Sequence, residues 1–451
     1  MISIGVKGFK FSLGTFLSLW ISLVAAETIC TEVTEIPEDE CNALVALEAV
    51  DETFSLGGKS PCSSSDITCE DGHVIEIRVG KLEGALPDLS ALSFLRAINR
   101  VCEEEDYYEE EFYYCSSDSY YFYEYEECYD FGNLTALSDL STLTHLTFLN
   151  LENNSLNGTL NISILPSSLQ SLNLGFNDLE GPLPNLSNKL PNLTYIDLSG
   201  NTLDINGSHF PTSLESLQLK YADLKQLPDL SSLTHLTTLD ITGNELSESI
   251  VGTSLPNSLM ELYLNDTLFN QPLPDLSHLT HLTTLDISHN TLSEPISGTE
   301  VPGSLTKLST NNLVLNQSFP DLSALNNITT LRLNDAKLRG PVIAADLPSN
   351  LTTLSLRNNP LNQSLPDLSA LTQLTDLDLG NTQLSGSINP AFLPPSLEVL
   401  KLDNNALAGD IPDLSKLETL VSLNLENNPQ LTWSDKTSLL PPSLESLYLN
   451  G

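Results

Sequence analysis

Basic residues are the scarcest class in this chain: 18 Lys and Arg stand against 59 Asp and Glu, for a formal net charge of −41. Such a polyanion repels nucleic acid and anionic membrane surfaces, which leaves basic surfaces, cations or neutral glycans as partners. Cysteine is absent after residue 128. All seven cysteines (Cys30, Cys41, Cys62, Cys69, Cys102, Cys115 and Cys128) lie before that point, the pattern of disulfides that seal a terminal cap in an exported protein. The odd count leaves one thiol free, paired with another chain, or without its partner. A long apolar run is also missing. Phe11 to Val24 is shorter than the roughly 20 residues that span a bilayer. It follows Lys7 and Lys10 and runs into the small residues Ala25 and Ala26, so residues 1–26 read as a cleaved secretory signal. No phosphate loop, no Ser nucleophile elbow and no zinc-type Cys motif occurs, so the expectation is a binding protein, not an enzyme, with no cofactor.

What is present is repetition. Pro-Asp-Leu-Ser begins at Pro228, Pro274, Pro320, Pro366 and Pro412, each 46 residues after the last. A second phrase, Ser-Leu-x-x-Leu-x-Leu, lies between them, so the unit is two alternating repeats of about 23 residues. Each half carries Leu-x-x-Leu-x-Leu-x-x-Asn-x-Leu, as in Leu146, Leu149, Leu151, Asn154 and Leu156, or Leu397, Leu400, Leu402, Asn405 and Leu407. Leu-x-Leu is a short strand with one buried face, and the Asn serves backbone groups at the turn. One coil cannot bury its leucines; stacked coils can. The fold class is an α/β-type solenoid, a leucine-rich-repeat horseshoe with a parallel concave β-sheet and a mostly irregular or 3-10 convex side. Fourteen strands are expected from Leu149 onward, with irregular earlier ones at Val74 to Val79 and near Ile98.

Leu82-Glu83-Gly84-Ala85-Leu86-Pro87, Leu179-Glu180-Gly181-Pro182-Leu183-Pro184 and Leu407-Ala408-Gly409-Asp410-Ile411-Pro412 resemble the Leu-x-Gly-x-Ile-Pro signature of plant-type extracellular leucine-rich repeats. Cys62 to Cys69, followed directly by a strand, resembles the N-terminal cap of plant receptor-like kinases, receptor-like proteins and polygalacturonase inhibitors. Ser64 stands where that cap usually has Trp, and many repeats lack the Gly-x-Ile-Pro half. The resemblance implies a Cys62–Cys69 disulfide and a receptor-ectodomain-like role in binding a protein or glycan on the concave face. The alternatives are a secreted inhibitor of a cell-wall-degrading enzyme or a structural, adhesive wall glycoprotein. The expected organisation is a signal (1–26), a disulfide cap (27–72), first repeats (73–100), an acidic Tyr/Cys-rich insertion (101–132) and the main array (133–451). The array stops in a strand, as expected of a fragment of a longer chain; a membrane span in that longer form would place the protein at the cell surface.

Between Val101 and Phe131 the sequence has twelve acids and nine of the thirteen Tyr. This loop is expected to be solvated, and a basic partner or Ca²⁺ is its candidate ligand, with tyrosine sulfation a further expectation. Sequons at Asn133, Asn153, Asn157, Asn161, Asn185, Asn192, Asn206, Asn265, Asn316, Asn327, Asn350 and Asn362 point to glycosylation in a secreted, extracellular or wall-bound protein.

Residues flanking the strand leucines face the open groove. Asp240 and Asp286 lie there two strands apart, roughly 10 Å, too far to share a proton, and Tyr263 falls between them. Lys307, Arg332 and Arg357, on three consecutive strands, with Lys401 beyond, form the candidate cationic site for an anionic ligand; the plainer reading is that they offset nearby acids such as Asp378. His278-x-x-His281 resembles metal spacing, but His145, His235 and His281 occupy one repeated slot, which argues for scaffold rather than metal.

Overall fold

The computed structural model describes residues 36–49, 61–80, 83–100, 133–206, 209–246, 250, 252–293, 296, 298–313, 319–432 and 439–449. The expected signal, the 101–132 insertion and Asn316 lie outside these. The chain divides into two compact units, with the main division of the sequence between Ile196 and Asp197.

In the first unit a helix, Glu38–Glu48, precedes an antiparallel pair, Ile67–Glu70 with His73–Val79, and Cys62 and Cys69 are disulfide-bonded beside it. Cys41 is disulfide-bonded as well. The helix meets the pair through Glu40, only 2% exposed. One of its carboxylate oxygens accepts the Val74 N–H at 2.9 Å and the other meets His73 Nδ1 at 2.7 Å. A carboxylate that deep is tolerated because both oxygens are satisfied. His73–Val79 then begins a parallel ladder through Ala97–Arg100, Phe148–Asn150 and Ser171–Asn173. The strand near Ile98 is regular, with Ile98 fully buried.

Among the described residues the main parallel sheet of the second unit holds eleven strands of three residues, from Ser216–Gln218 to Ser446–Tyr448. Each is parallel to the next in an unbroken register with no bulge. With Phe148–Asn150, Ser171–Asn173 and Tyr195–Asp197, the fourteen strands expected from Leu149 are all present. The central Leu of each strand from Ser216–Gln218 to Ser422–Asn424 is buried, whereas Leu447 in the last strand is exposed, and burial of one such side chain stabilises by about 1.5–3 kcal/mol. Opposite the strands the chain makes 3-10 turns, among them Gly252–Ser254, Ala344–Asp346 and Pro390–Phe392, as the Pro- and Ser-rich halves predict.

The buried Asn of the repeat bridges neighbouring coils. Asn290 donates through Nδ2 to the carbonyls of Leu264, Ile287 and Ser288, and through Oδ1 accepts the N–H groups of Thr267 and Phe269. One Asn thus serves two coils, and the preceding coil carries Thr267 in the corresponding slot. Asn244 over Ala222 and Asn405 over Thr382 repeat the arrangement. The residue before each of these slots is left-handed, for example Tyr221, Asp266, Asn358 and Asn404. Coils lacking the Asn add a second left-handed residue two positions on: Asp223, Leu268, Lys337 and Gln383.

Candidate functional site

The unit-2 strands present two outward side chains each, on a scaffold whose inward positions are leucine throughout. The third strand positions form a column in register: Gln218, Asp240, Tyr263, Asp286, Ser309, Arg332, Ser355, Asp378, Lys401, Asn424 and Tyr448. Core positions repeat, whereas this column changes charge and size from coil to coil.

Three electrical regions follow along it. The first is acidic and aromatic. Tyr263 lies between Asp240 and Asp286 in register, and its hydroxyl donates to Glu261 Oε2 at 3.3 Å. Burial, with the charge of Glu261 behind it, pushes the Tyr263 phenol up to about 12. Asp240 and Asp286 each use one oxygen to accept the N–H two residues on, at Thr242 and Ser288, and so also serve the turn. Burial raises the Asp240 carboxyl above its ordinary range, against the pull of those Thr242 bonds and of Lys220.

The second region is cationic. Lys307 is exposed at the first position of its strand, opposite Thr330, and Arg332 is at the third position of the next, opposite Ser309. The two cations therefore run diagonally across the face. Ser309 and Ser355, both small and buried, flank Arg332 in the column, and Arg332 itself is half-buried. The coil behind is unusual: Thr310 occupies the slot that is Leu or Ile elsewhere and Leu313 the slot of the buried Asn, and both are fully buried. The Thr310 hydroxyl donates to the Arg332 carbonyl at 3.1 Å, which ties the two coils where the Asn is absent. Lys337 and Arg339 are exposed on the same coil as Arg332. Among the described residues neither Lys307 nor Arg332 has a carboxylate within ion-pair distance, whereas Arg96, Lys225, Arg357 and Lys401 each do.

The third region is a closed ion network. Arg357 donates to both oxygens of Asp403, at 3.1 and 2.8 Å, and approaches Asp378 at 3.5 Å. Lys401 lies 3.9 Å from the other Asp378 oxygen. Burial pushes Asp403 up, but the hydrogen bonds and charge of Arg357 outweigh it and hold the carboxyl below its ordinary range. Burial wins at Asp378, which is raised despite the Gly380 N–H, Arg357 and Lys401. Arg357 is thus turned toward Asp403 instead of joining Lys307 and Arg332: of the expected cationic trio, two have no carboxylate partner among the described residues and one is neutralised. Asp403 and Gly380 were not singled out in the sequence. Their signal was the 46-residue period, since Arg357 and Asp403 share one slot with Gly380 between them.

Asn153 is buried; Asn133, Asn157, Asn161, Asn185, Asn192, Asn206, Asn327, Asn350 and Asn362 are exposed; and Asn265 is half-buried. His145, His235 and His281 each place Nδ1 within 3.0 Å of a backbone carbonyl of the preceding coil, at Ser93, Thr212 and Asn257, so their repeated slot is a strut between coils. Among the described residues no group of three or more His, Cys, Asp or Glu is placed to hold a metal ion, and no helix is long and apolar enough to cross a membrane.

The fold is that of a leucine-rich-repeat solenoid. Models described as leucine-rich repeat match residues 232–250, 278–294 and 350–371. The chain is similar to plant-type receptor-like proteins: Receptor like protein 24 of Arabidopsis thaliana is 30% identical over 145 residues, 25% of this chain and 17% of that protein. Receptor-like protein 39 of the same plant is 30% identical over 166 residues, 29% of this chain. The matches span only 17% and 19% of the length of these curated relatives. Among solved structures, the leucine-rich effector YopM of Yersinia pestis has 25% identity and a TM-score of 0.63, covering 96% of this chain and 99% of its own. The Arabidopsis receptor kinase HAESA, solved with the peptide hormone IDA and the co-receptor SERK1, has 22% identity and a TM-score of 0.57. It covers 88% of this chain and 66% of its own.

Proposed function

We propose that this chain is an extracellular, receptor-ectodomain-like recognition module that binds a protein or peptide ligand on the strand face of its second unit. The observation that carries the reading is the in-register column that changes from Asp240 through Arg332 to Lys401 on a scaffold of repeated leucines. A surface serving only stability would repeat with its coils. A surface whose charge and shape vary at fixed spacing offers specificity instead. Plant relatives and receptor neighbours, one solved with a peptide hormone, support a protein ligand and an extracellular or cell-surface setting. The signal-like residues 1–26, the cap disulfide and the sequons support export.

Photo-crosslinking tests the assignment. A photoreactive residue placed at Thr330, half-exposed on the strand face, is compared with one at Ala391, exposed on a 3-10 turn. Each purified protein is irradiated in extracellular fluid of the source tissue. An adduct formed from Thr330 and not from Ala391 is expected. An adduct from Ala391 alone, or none from Thr330, contradicts the reading.

A further inference from the structure

Lys307 and Arg332 are exceptional in a chain of net charge −41. Elsewhere on the strand face cations are matched: Arg357 by Asp403 and Asp378, and Lys401 by Asp378. At Lys307 and Arg332 the matching carboxylate is missing among the described residues. The adjoining column residues, Ser309 and Ser355, are small and buried, and neither can pair with the charge of half-buried Arg332. Three strands away Tyr263 has the opposite character. It offers a half-buried ring with Asp240 and Asp286 on either side and Glu261 on its hydroxyl. An aromatic face ringed by carboxylates attracts a guanidinium or ammonium. Tyr263 and Arg332 occupy the same column three registers apart, a separation of roughly 14 Å at ~4.8 Å per strand. An extended peptide advances about 3.3 Å per residue, so this gap spans about four residues.

We propose that the face binds an extended peptide lying across the strands, with an Arg or Lys over Tyr263 and a carboxylate about four residues away over Lys307 and Arg332. The inference rests on the recognition reading above and adds the chemistry and spacing of its ligand. Arg357, Asp378, Lys401 and Asp403 lie beyond the carboxylate end, where their mutual neutralisation leaves no net attraction for a further charge. The occupied stretch is therefore the one from Asp240 to Arg332.

The probe is a pair of displayed peptide libraries. In one, Arg and Glu are separated by three uncharged random residues; in the other, they are adjacent. The purified chain is expected to enrich the spaced library by about tenfold over the adjacent one, the ratio set by engaging both charged ends. Raising the salt should shrink the ratio, because exposed charges are screened. The double variant Lys307→Glu with Arg332→Glu, its fold checked by circular dichroism and Tm, is expected to prefer a third library with Arg at both positions. Equal recovery of the spaced and adjacent libraries overturns the proposal, as does an unchanged preference in the double variant. If the Thr330 adduct still forms while the libraries are recovered equally, this inference fails and strand-face recognition stands. If the adduct forms at Ala391 alone, the underlying reading fails.

Discussion

Arg357 reaches over Gly380 to form a two-pronged ion pair with Asp403, one full double repeat away. A Cβ at Gly380 would lie 2.2 Å from Arg357 Nη1 and 3.0 Å from Asp403 Oδ1. Gly380 is not left-handed, so its lack of a side chain serves close approach, not backbone conformation. Gly380→Ala should displace the guanidinium and cost about 1–2 kcal/mol in urea unfolding. In an Arg357→Met background the same change should be close to neutral. A full cost persisting there would mean that the ion pair does not account for the glycine.

The pair also predicts a pH effect. Asp403 has a depressed folded pKa, so the stability it contributes is present above its unfolded pKa near 3.8 and is lost as pH falls through the folded value. Asp378 is raised and acts oppositely: its ionised form is disfavoured by folding, so its penalty sets in as pH rises from about 3.8 through the raised value. Asp403→Asn should lower stability at neutral pH and flatten its decline below pH 4, measured by chemical denaturation. A wild-type slope retained in the variant would place the acid sensitivity elsewhere.

Asn290 should be the costliest polar residue of its double repeat. Asn290→Ala strips partners from three carbonyls and two N–H groups at once, so a loss of about 3 kcal/mol or more is expected. Thr267→Val, which removes one hydroxyl from the neighbouring coil, should cost nearer 1 kcal/mol. Equal losses in denaturation experiments would show that the Asn does not serve two coils.

Leu268 is 60% exposed and left-handed at φ 49°, a combination that carries strain with little burial in return. Leu268→Asn should raise stability by up to about 1 kcal/mol, because Asn tolerates this conformation. A lower Tm would mean that Leu268 makes a contact worth more than its strain.

If the chain passes through the secretory route, its sequons divide by burial and by face. Asn153 is 5% exposed. Asn265 is half-buried at the end of a strand, where its Oδ1 accepts the Thr242 hydroxyl. Both should be bare in glycopeptide mass spectrometry, while exposed Asn161 and Asn185 carry sugar. Glycan at Asn153 on the folded protein would contradict the placement of that coil.

The scaffold was legible in the sequence because it is periodic and local. The leucine spacing gives the strands and their register, the Pro and Ser halves give the 3-10 turns, and the common slot of His145, His235 and His281 marks them as struts. The double use of Asn290 was only half legible: the 46-residue alternation was visible, but the bridging depends on which N–H groups face the Asn oxygen across coils. The pairing of Arg357 with Asp403 was not legible for a similar cause. A strand position fixes where a side chain starts, not where a flexible guanidinium ends, and its direction was set by a glycine one coil away. Glu40, joined to His73 and Val74, gave no periodic signal at all because the cap does not repeat.

The central claim is that recognition takes place on the strand face of the second unit. Single cysteines at Gln218, Tyr263, Lys401 and Asn424, with Ala391 as the control, would be labelled with maleimide before and after addition of the partner captured from Thr330. The account predicts that the partner slows labelling at position 263, inside the occupied stretch, more than at positions 218, 401 and 424 outside it, and leaves position 391 unchanged. Protection at 391 with free labelling along the column would contradict it.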